Sequence, residues 1–367
     1  MRRAAAILLA ALVLLLAAGR PIAWTEAALV VSDLASGGRG PWQRLTADPT
    51  DRDASWTGGE GDLYAPGGGR IRAALVLVPG AAALGRDEPR LQALARTLAR
   101  AGFAVLVPEL PEVRRFALSR RDADRVADAM RHLRRAYPAV PLGTMAISYA
   151  LAPALIAATL DDLAPQVAFA VGIGGYRDAE AVIRFVTTGA FRARGDAREH
   201  RVEPNPYGRW AFVLANIGSL GSAADAAPLS DIAQRRMRDA TADISDLARL
   251  LGPQGQAVLA LVDNRDPDAV TRLIEALPSS IRAEIDGLNL ALYDLGKLRG
   301  HLILVHGRDD RMVPYSESEA LAAAVPSARV ALFLIDDIDH VDFNAVSLAN
   351  AWKMWRAVLA LLDERHP

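Results

Sequence analysis

Leu142-Gly143-Thr144-Met145-Ala146-Ile147-Ser148-Tyr149-Ala150 decides how the rest of this 367-residue chain is read. A short apolar run stops at one hydroxyl, Ser148. Ala146 lies two residues before it and Ala150 two after, and Leu151 to Leu160 then has the composition of a helix. The pattern predicts strand, tight turn, helix. A serine at such a turn takes strained backbone angles in a crowded place, so the flanking positions must be small. Its Oγ stands clear of the sheet edge, and the next backbone N–H points to where an oxyanion forms. Small-x-Ser-x-small also describes a serine that merely caps a helix after a buried strand. The remainder of the chain separates the two readings.

On either side of this stretch, apolar branched runs alternate with amphipathic ones. Ala73 to Val78 ends in Pro79-Gly80-Ala81-Ala82, Phe103 to Val107 follows, and Val167 to Ile173 ends in Gly174-Gly175-Tyr176. Between them, Glu88 to Arg100 and Asp122 to Ala136 carry apolar residues at helical spacing, and Gly61 to Pro66 reads as an edge strand ahead of the first run. Runs of this kind suit parallel strands buried on both faces. Strand-helix alternation implies right-handed crossovers, hence an α/β fold with a mostly parallel, doubly wound sheet. Ligands of such sheets sit at the carboxyl ends of the strands, where Gly80, Ser148 and Gly174 fall.

From 177 to 299 no strand pattern is evident; Ala179 to Thr187, Arg209 to Ile217, Ile232 to Leu251, Gln256 to Val262 and Ala269 to Leu277 read as helices. The sheet resumes directly afterwards with His301 to His306 and Val330 to Ile335, and a helix over Ala345 to Leu362 closes the chain. The insertion is therefore read as a helical cap over the functional edge, with residues 55–176 and 300–367 forming the core.

Composition narrows the function. With 42 basic and 43 acidic side chains nothing favours a nucleic-acid partner, and without cysteine there is no disulfide, thiolate metal site or cysteine nucleophile. Arg2 and Arg3 precede an unbroken apolar run from Ala4 to Ala18, then Gly19, Arg20 and Pro21, the plan of a secretory signal cleaved after Gly19. Ile22 to Val31 prolongs the apolar character, which a retained membrane anchor would use. Residues 1–31 are thus read as signal peptide or N-terminal membrane anchor and 32–54 as a linker. The body is expected outside the cytoplasm, periplasmic, secreted or anchored to the membrane.

A serine hydroxyl needs an adjacent base to become a nucleophile, and the base needs a carboxylate to hold its tautomer. Asp310 follows one strand and His340 the next, so serine, acid and histidine each arrive after their own strand on one sheet edge. With these residues in place the chain resembles the α/β-hydrolase family, over roughly Asp62 to Leu362. The family's nucleophile elbow matches Ala146 to Ala150, its Gly-x-x-Asp-x-x-Val-Pro acid motif matches Gly307 to Pro314, and its His-x-x-Phe motif matches His340 to Phe343. The resemblance implies Ser148 as nucleophile, His340 as base, Asp310 as its orienting acid, and an oxyanion hole from the N–H groups of Tyr149 and Ala81. Pro79 stands where the family has histidine, and alanines stand at both elbow glycines.

Asp309 competes with Asp310, but only Asp310 keeps the motif spacing. His306 reads as a structural hydrogen-bonding residue. Asp336, Asp337, Asp339 and Asp342 follow no calcium-loop spacing, so they read as a solvated acidic loop, with no metal or cofactor required. Gly174, Gly175 and Tyr176, at a strand end beneath the cap, are expected to line the substrate pocket. The resulting expectation is a serine esterase for a small hydrophobic ester. Acyl transfer on the same site, or a non-catalytic envelope binding protein, stays open because the fold does not determine the acceptor.

Overall fold

Alternation within the apolar strands sends successive side chains into two different cores. The computed structural model describes residues 21–81, 83–115, 117, 119–337 and 347–366. Among them the strands are β1 (Thr50–Trp56), β2 (Gly59–Ala65), β3 (Ala73–Val78), β4 (Phe103–Pro108), β5 (Leu142–Ile147), β6 (Val167–Ile173), β7 (Ala190–Phe191), β8 (His200–Arg201), β9 (His301–Gly307) and β10 (Val330–Ile335). The main sheet has the order β1-β2-β4-β3-β5-β6-β9-β10. Only β2 runs against its neighbours; all other pairs in this sheet are parallel.

The helices of six or more residues are α1 (Pro21–Ala35), α2 (Pro89–Arg100), α3 (Arg121–Ala136), α4 (Leu151–Ala158), α5 (Ala179–Thr188), α6 (Pro206–Asn216), α7 (Ala223–Arg238), α8 (Pro253–Val262), α9 (Val270–Glu275), α10 (Ser279–Gly287), α11 (Ser316–Ala324) and α12 (Leu348–Asp363). In β3, Ala74, Val76 and Val78 face a core shared with α3 and α4, while Ala73, Leu75 and Leu77 face one shared with α1, α2 and α12. All six are fully buried. Burying each valine or leucine contributes roughly 1.5–3 kcal/mol, so an unbroken apolar run is what a doubly covered strand needs.

The boundaries expected at 31 and 54 fall inside the folded body. Ala27 and Val30, one helical turn apart on α1, are fully buried against the core that α2 and α12 share. Glu26 forms a buried bidentate pair with Arg365 at 2.6 and 2.7 Å, and Asp33 accepts from Thr97 Oγ1 at 2.7 Å and from Gly40 N–H at 2.9 Å. α1 thus sets an apolar stripe and two buried carboxylates against the folded body. The stretch read as a linker supplies the end of α1, a one-turn helix at Trp42–Leu45 and most of β1. β1 is the true sheet edge, so the strand expected there over Gly61 to Pro66 lies one place inward as β2. Polar β1 carried no apolar alternation by which to find it. Residues 1–19, where the signal was read, lie outside the described residues. No helix among the described residues is long and apolar enough to cross a membrane.

Between β6 and β9 the chain is helical apart from the two-residue ribbon β7–β8, which the sequence reading missed. The single helix expected over Ile232 to Leu251 is instead α7, which starts earlier on a Ser222 cap, followed by a break. Asp239 and Asp243 cause the break by accepting from the N–H groups of Thr241 and Ser245, turns that compete with helix continuation. Trp210, Leu229, Ile232 and Leu261 of this segment belong to the same apolar cluster as α3, α4 and one sheet face.

Candidate active site

β5 ends at Ile147 and Ser148 takes φ +58°, after which a 3-10 turn over Ser148–Ala150 leads into α4. Ser148 and Asp337 are the only non-glycine residues at positive φ among those described. Such a conformation costs on the order of 1–3 kcal/mol, and it persists only where the surroundings enforce it. Ala146, paired with Val78 on one side and Gly172 on the other, and Ala150 are both fully buried, so neither position has room for a larger side chain. Tyr149 supplies a backbone N–H in the first turn of this helical segment, where no intrahelical acceptor exists.

Two strands over, the turn after β9 carries Asp310, the expected acid. Asp310 is 3% exposed, and its Oδ1 accepts from the N–H groups of Met312 at 2.8 Å and Val313 at 2.9 Å. His306 Nε2 lies 3.3 Å from Asp310 Oδ2 and 3.0 Å from the Val313 carbonyl oxygen. Facing a carbonyl, Nε2 carries the proton, so Nδ1 accepts from Ser318 Oγ at 2.7 Å. His306 therefore braces the acid loop. Asp309 is exposed, and its Oδ2 accepts from the Asp337 N–H at 2.8 Å, holding the left-handed turn that follows β10. The neighbours do diverge, and the buried, directed carboxylate is Asp310. The chain is thus a mostly parallel, doubly wound α/β sheet with a serine at positive φ after one parallel strand and a buried carboxylate after another.

No protein-family model and no curated protein matches the chain. Among solved structures it is similar to the acylaminoacyl peptidase of Pyrococcus horikoshii, with TM-score 0.46, 11% identity, and coverage of 87% of this chain and 41% of that one. It is also similar to a soluble variant of monoglyceride lipase from Saccharomyces cerevisiae, with TM-score 0.48, 13% identity and coverage of 89% and 99%. An α/β-hydrolase superfamily protein from Enterococcus faecalis gives TM-score 0.49, 14% identity and coverage of 86% and 98%. The chain thus spans under half the peptidase and nearly all of the other two. At these identities the likeness concerns the path of the chain alone.

His340, expected from the sequence as the base, lies outside the described residues, as do Asp339, Asp342 and Phe343. The ends of its loop are described. Asn350 Nδ2 donates to the Asp336 carbonyl at 2.6 Å and Asn350 Oδ1 accepts from the Asp336 N–H at 3.2 Å, clamping the exit of β10 to the start of α12. Lys353 Nζ, 2.6 Å from Asp336, holds that carboxyl below its ordinary range. Among the described residues no three His, Asp or Glu side chains converge as a metal site.

Ala81 is exposed and follows Gly80, whose Cβ position would lie 3.2 Å from the Ile147 carbonyl oxygen; the segment proposed for the second oxyanion N–H thus borders the elbow. Gly174 sits at φ +63° and donates to Val305 at 2.9 Å. Gly175 is a packing glycine, because a Cβ there would stand 2.3 Å from Leu151 Cδ2 and 2.7 Å from Leu151 Cβ, at the start of α4. Gly175→Ala is expected to lose about 1–3 kcal/mol in a urea melt by displacing that helix. Tyr176 is 5% exposed, and its hydroxyl donates to the Leu288 carbonyl at 3.2 Å. These three residues join sheet and helical segment. Buried Glu317 adds to the junction by accepting from the N–H groups of Arg177 at 3.0 Å and Asp178 at 2.7 Å. Over the acid loop, the Asn205 N–H donates to Arg311 at 3.0 Å, so α6 begins on top of Asp310's own turn.

Asp122 escaped the sequence reading. It is fully buried in the first turn of α3, both carboxyl oxygens lack a hydrogen-bond partner, and the Tyr149 hydroxyl is likewise buried and unpartnered. Burial first, and then the charge of Glu112, push Asp122 up to about 7, with Arg125 opposing. Burial and the Asp122 charge raise the Tyr149 hydroxyl well above its ordinary value. The signal was available: Asp122 lies four residues before Val126, on the apolar stripe of its helix, but an acidic residue in a first turn reads as a partner of the helix dipole.

An acid raised on folding holds its full stability below its unfolded pKa and loses it as pH climbs to the folded one. Stability is therefore expected to fall by about 4 kcal/mol as Asp122 ionises between its ordinary 3.8 and about 7. Glu317, pushed up to about 7 by burial against its two N–H donors, adds in the same direction. Melting temperatures at pH 5 and pH 8 should converge partly in Asp122→Asn and further when Glu317→Gln is added. An unchanged pH gap in both variants contradicts this assignment.

Proposed function

We propose that this chain is a serine hydrolase of carboxylic esters, with Ser148 as nucleophile, His340 as general base and Asp310 as the group that orients it. The observation that carries the reading is Ser148 at φ +58° between a buried strand and a helix, a strain that a mere capping serine does not need. Ser148 Oγ attacks the acyl carbonyl and its proton passes to His340 Nε2. The tetrahedral oxyanion is held by the N–H groups of Tyr149 and Ala81, and the proton then leaves with the alcohol. Water repeats the sequence on the acyl-enzyme. Asp310 suits its part because two backbone N–H groups hold its carboxylate in one orientation inside the protein. On this reading the helical segment selects a small hydrophobic ester, and residues 1–19 direct the enzyme out of the cytoplasm.

Fluorophosphonate labelling followed by peptide mapping tests the proposal. A single adduct on Ser148, absent from Ser148→Ala, is the expected result. Ester turnover with no adduct there would sink it.

A further inference from the structure

At the amino end of the sheet, opposite the edge that carries Ser148, the turns feeding β3, β4 and β5 enclose a cavity of about 530 Å³. Arg70, Arg72, Arg100 and Arg365 line it, with exposed His366 beside them. Among the described residues, two carboxylates oppose these four guanidinium groups. Glu26 is bidentate to Arg365 at 2.6 and 2.7 Å and stands 3.7 Å from Arg72, and Asp48 lies 2.9 Å from Arg100. Asp48 is 89% exposed, so water screens much of its charge. Arg70 has no carboxylate partner among the described residues.

Arg100 is the informative member. Its side chain is 6% exposed, Nη2 meets Asp48, and Nη1 has no hydrogen-bond partner among the described residues. A buried guanidinium with an idle donor is unfavourable until an acceptor completes it. Gly68 and Gly69 bring bare backbone to the same wall, and nothing lies within 4 Å of where a Cβ on Gly69 would point.

We infer that this cavity binds a phosphate dianion, free or as the monoester head of a larger molecule. Guanidinium forks match phosphate oxygens in pairs, and four arginines against two carboxylates leave the charge excess that a dianion neutralises. A monocarboxylate would leave part of it uncompensated. The site is independent of the serine chemistry and stands or falls without it.

Calorimetric titration of the full chain with inorganic phosphate at low salt is expected to show one saturable site. Arg70→Ala should weaken it about tenfold, the effect of one charge-assisted contact, with Arg70→Lys recovering part of the loss. Arg70 is exposed and makes no ion pair with the described residues, so its variants should melt with the parent. Flotation with phosphatidylcholine vesicles, with and without phosphatidic acid, separates the sources. Association that needs phosphatidic acid and is displaced by excess phosphate identifies a lipid head group, whereas phosphate binding without flotation identifies a soluble phosphomonoester. No saturable phosphate binding, or binding that Arg70→Ala leaves unchanged, overturns the inference.

Discussion

Ester turnover by Ser148→Ala is expected to fall by about 10⁴- to 10⁶-fold, because the nucleophile and base act as a unit and little catalysis survives the loss of either. The fold should survive. Alanine at φ +58° inherits the strain of the elbow, so Ser148→Ala should melt close to the parent, whereas Ser148→Gly should be about 1 kcal/mol more stable and equally inactive. That opposition between stability and turnover distinguishes a strained nucleophile from a serine that only caps α4. Asp310→Asn provides the companion measurement. Its amide oxygen can still accept from Met312 and Val313, so the loop keeps its shape while the charge is lost, and turnover should drop by about 10⁴-fold. If Ser148→Ala keeps its turnover, both the proposed nucleophile and the reaction class are wrong.

Glu26→Ala is expected to destabilise the protein by about 3–5 kcal/mol, since it leaves Arg365, 3% exposed, as an uncompensated buried charge. Pairing it with Arg365→Met should recover most of the loss, because an apolar side chain of similar length needs no counter-charge. The result matters beyond one ion pair. Glu26 belongs to the stretch that reads from sequence as signal or anchor, and it ties α1 to the far end of the chain. A chain beginning at Pro21 keeps Glu26, Ala27 and Val30 and should fold, while one beginning at Ser32 loses all three and should not. Equal denaturation midpoints for Glu26→Ala and the parent would show that α1 is dispensable.

The parallel α/β sheet was legible because its signals are local. Burial on both strand faces demands continuous apolar runs, and a crowded elbow demands small residues two before and two after the serine; both are patterns in adjacent positions. Asp310 was singled out by its spacing from Gly307; in the structure its carboxylate is buried and held by two backbone N–H groups, while that of Asp309 is exposed and holds the Asp337 N–H. β1 was missed because an edge strand paired on one side carries no apolar alternation, and α1 because one buried stripe in an apolar stretch looks like a membrane signal.

What the sequence by itself determined is the alternation of the core strands and helices and the tight turn at Ser148, where sterics act between near neighbours. Only the tertiary structure decided that Asp122 lies buried, its charge felt at the Tyr149 hydroxyl, that α6 rests on the acid loop, and that arginines at 70, 72, 100 and 365 share one cavity. Those arrangements join residues far apart in the chain, and their energy comes from shared burial and charge, which no local period records.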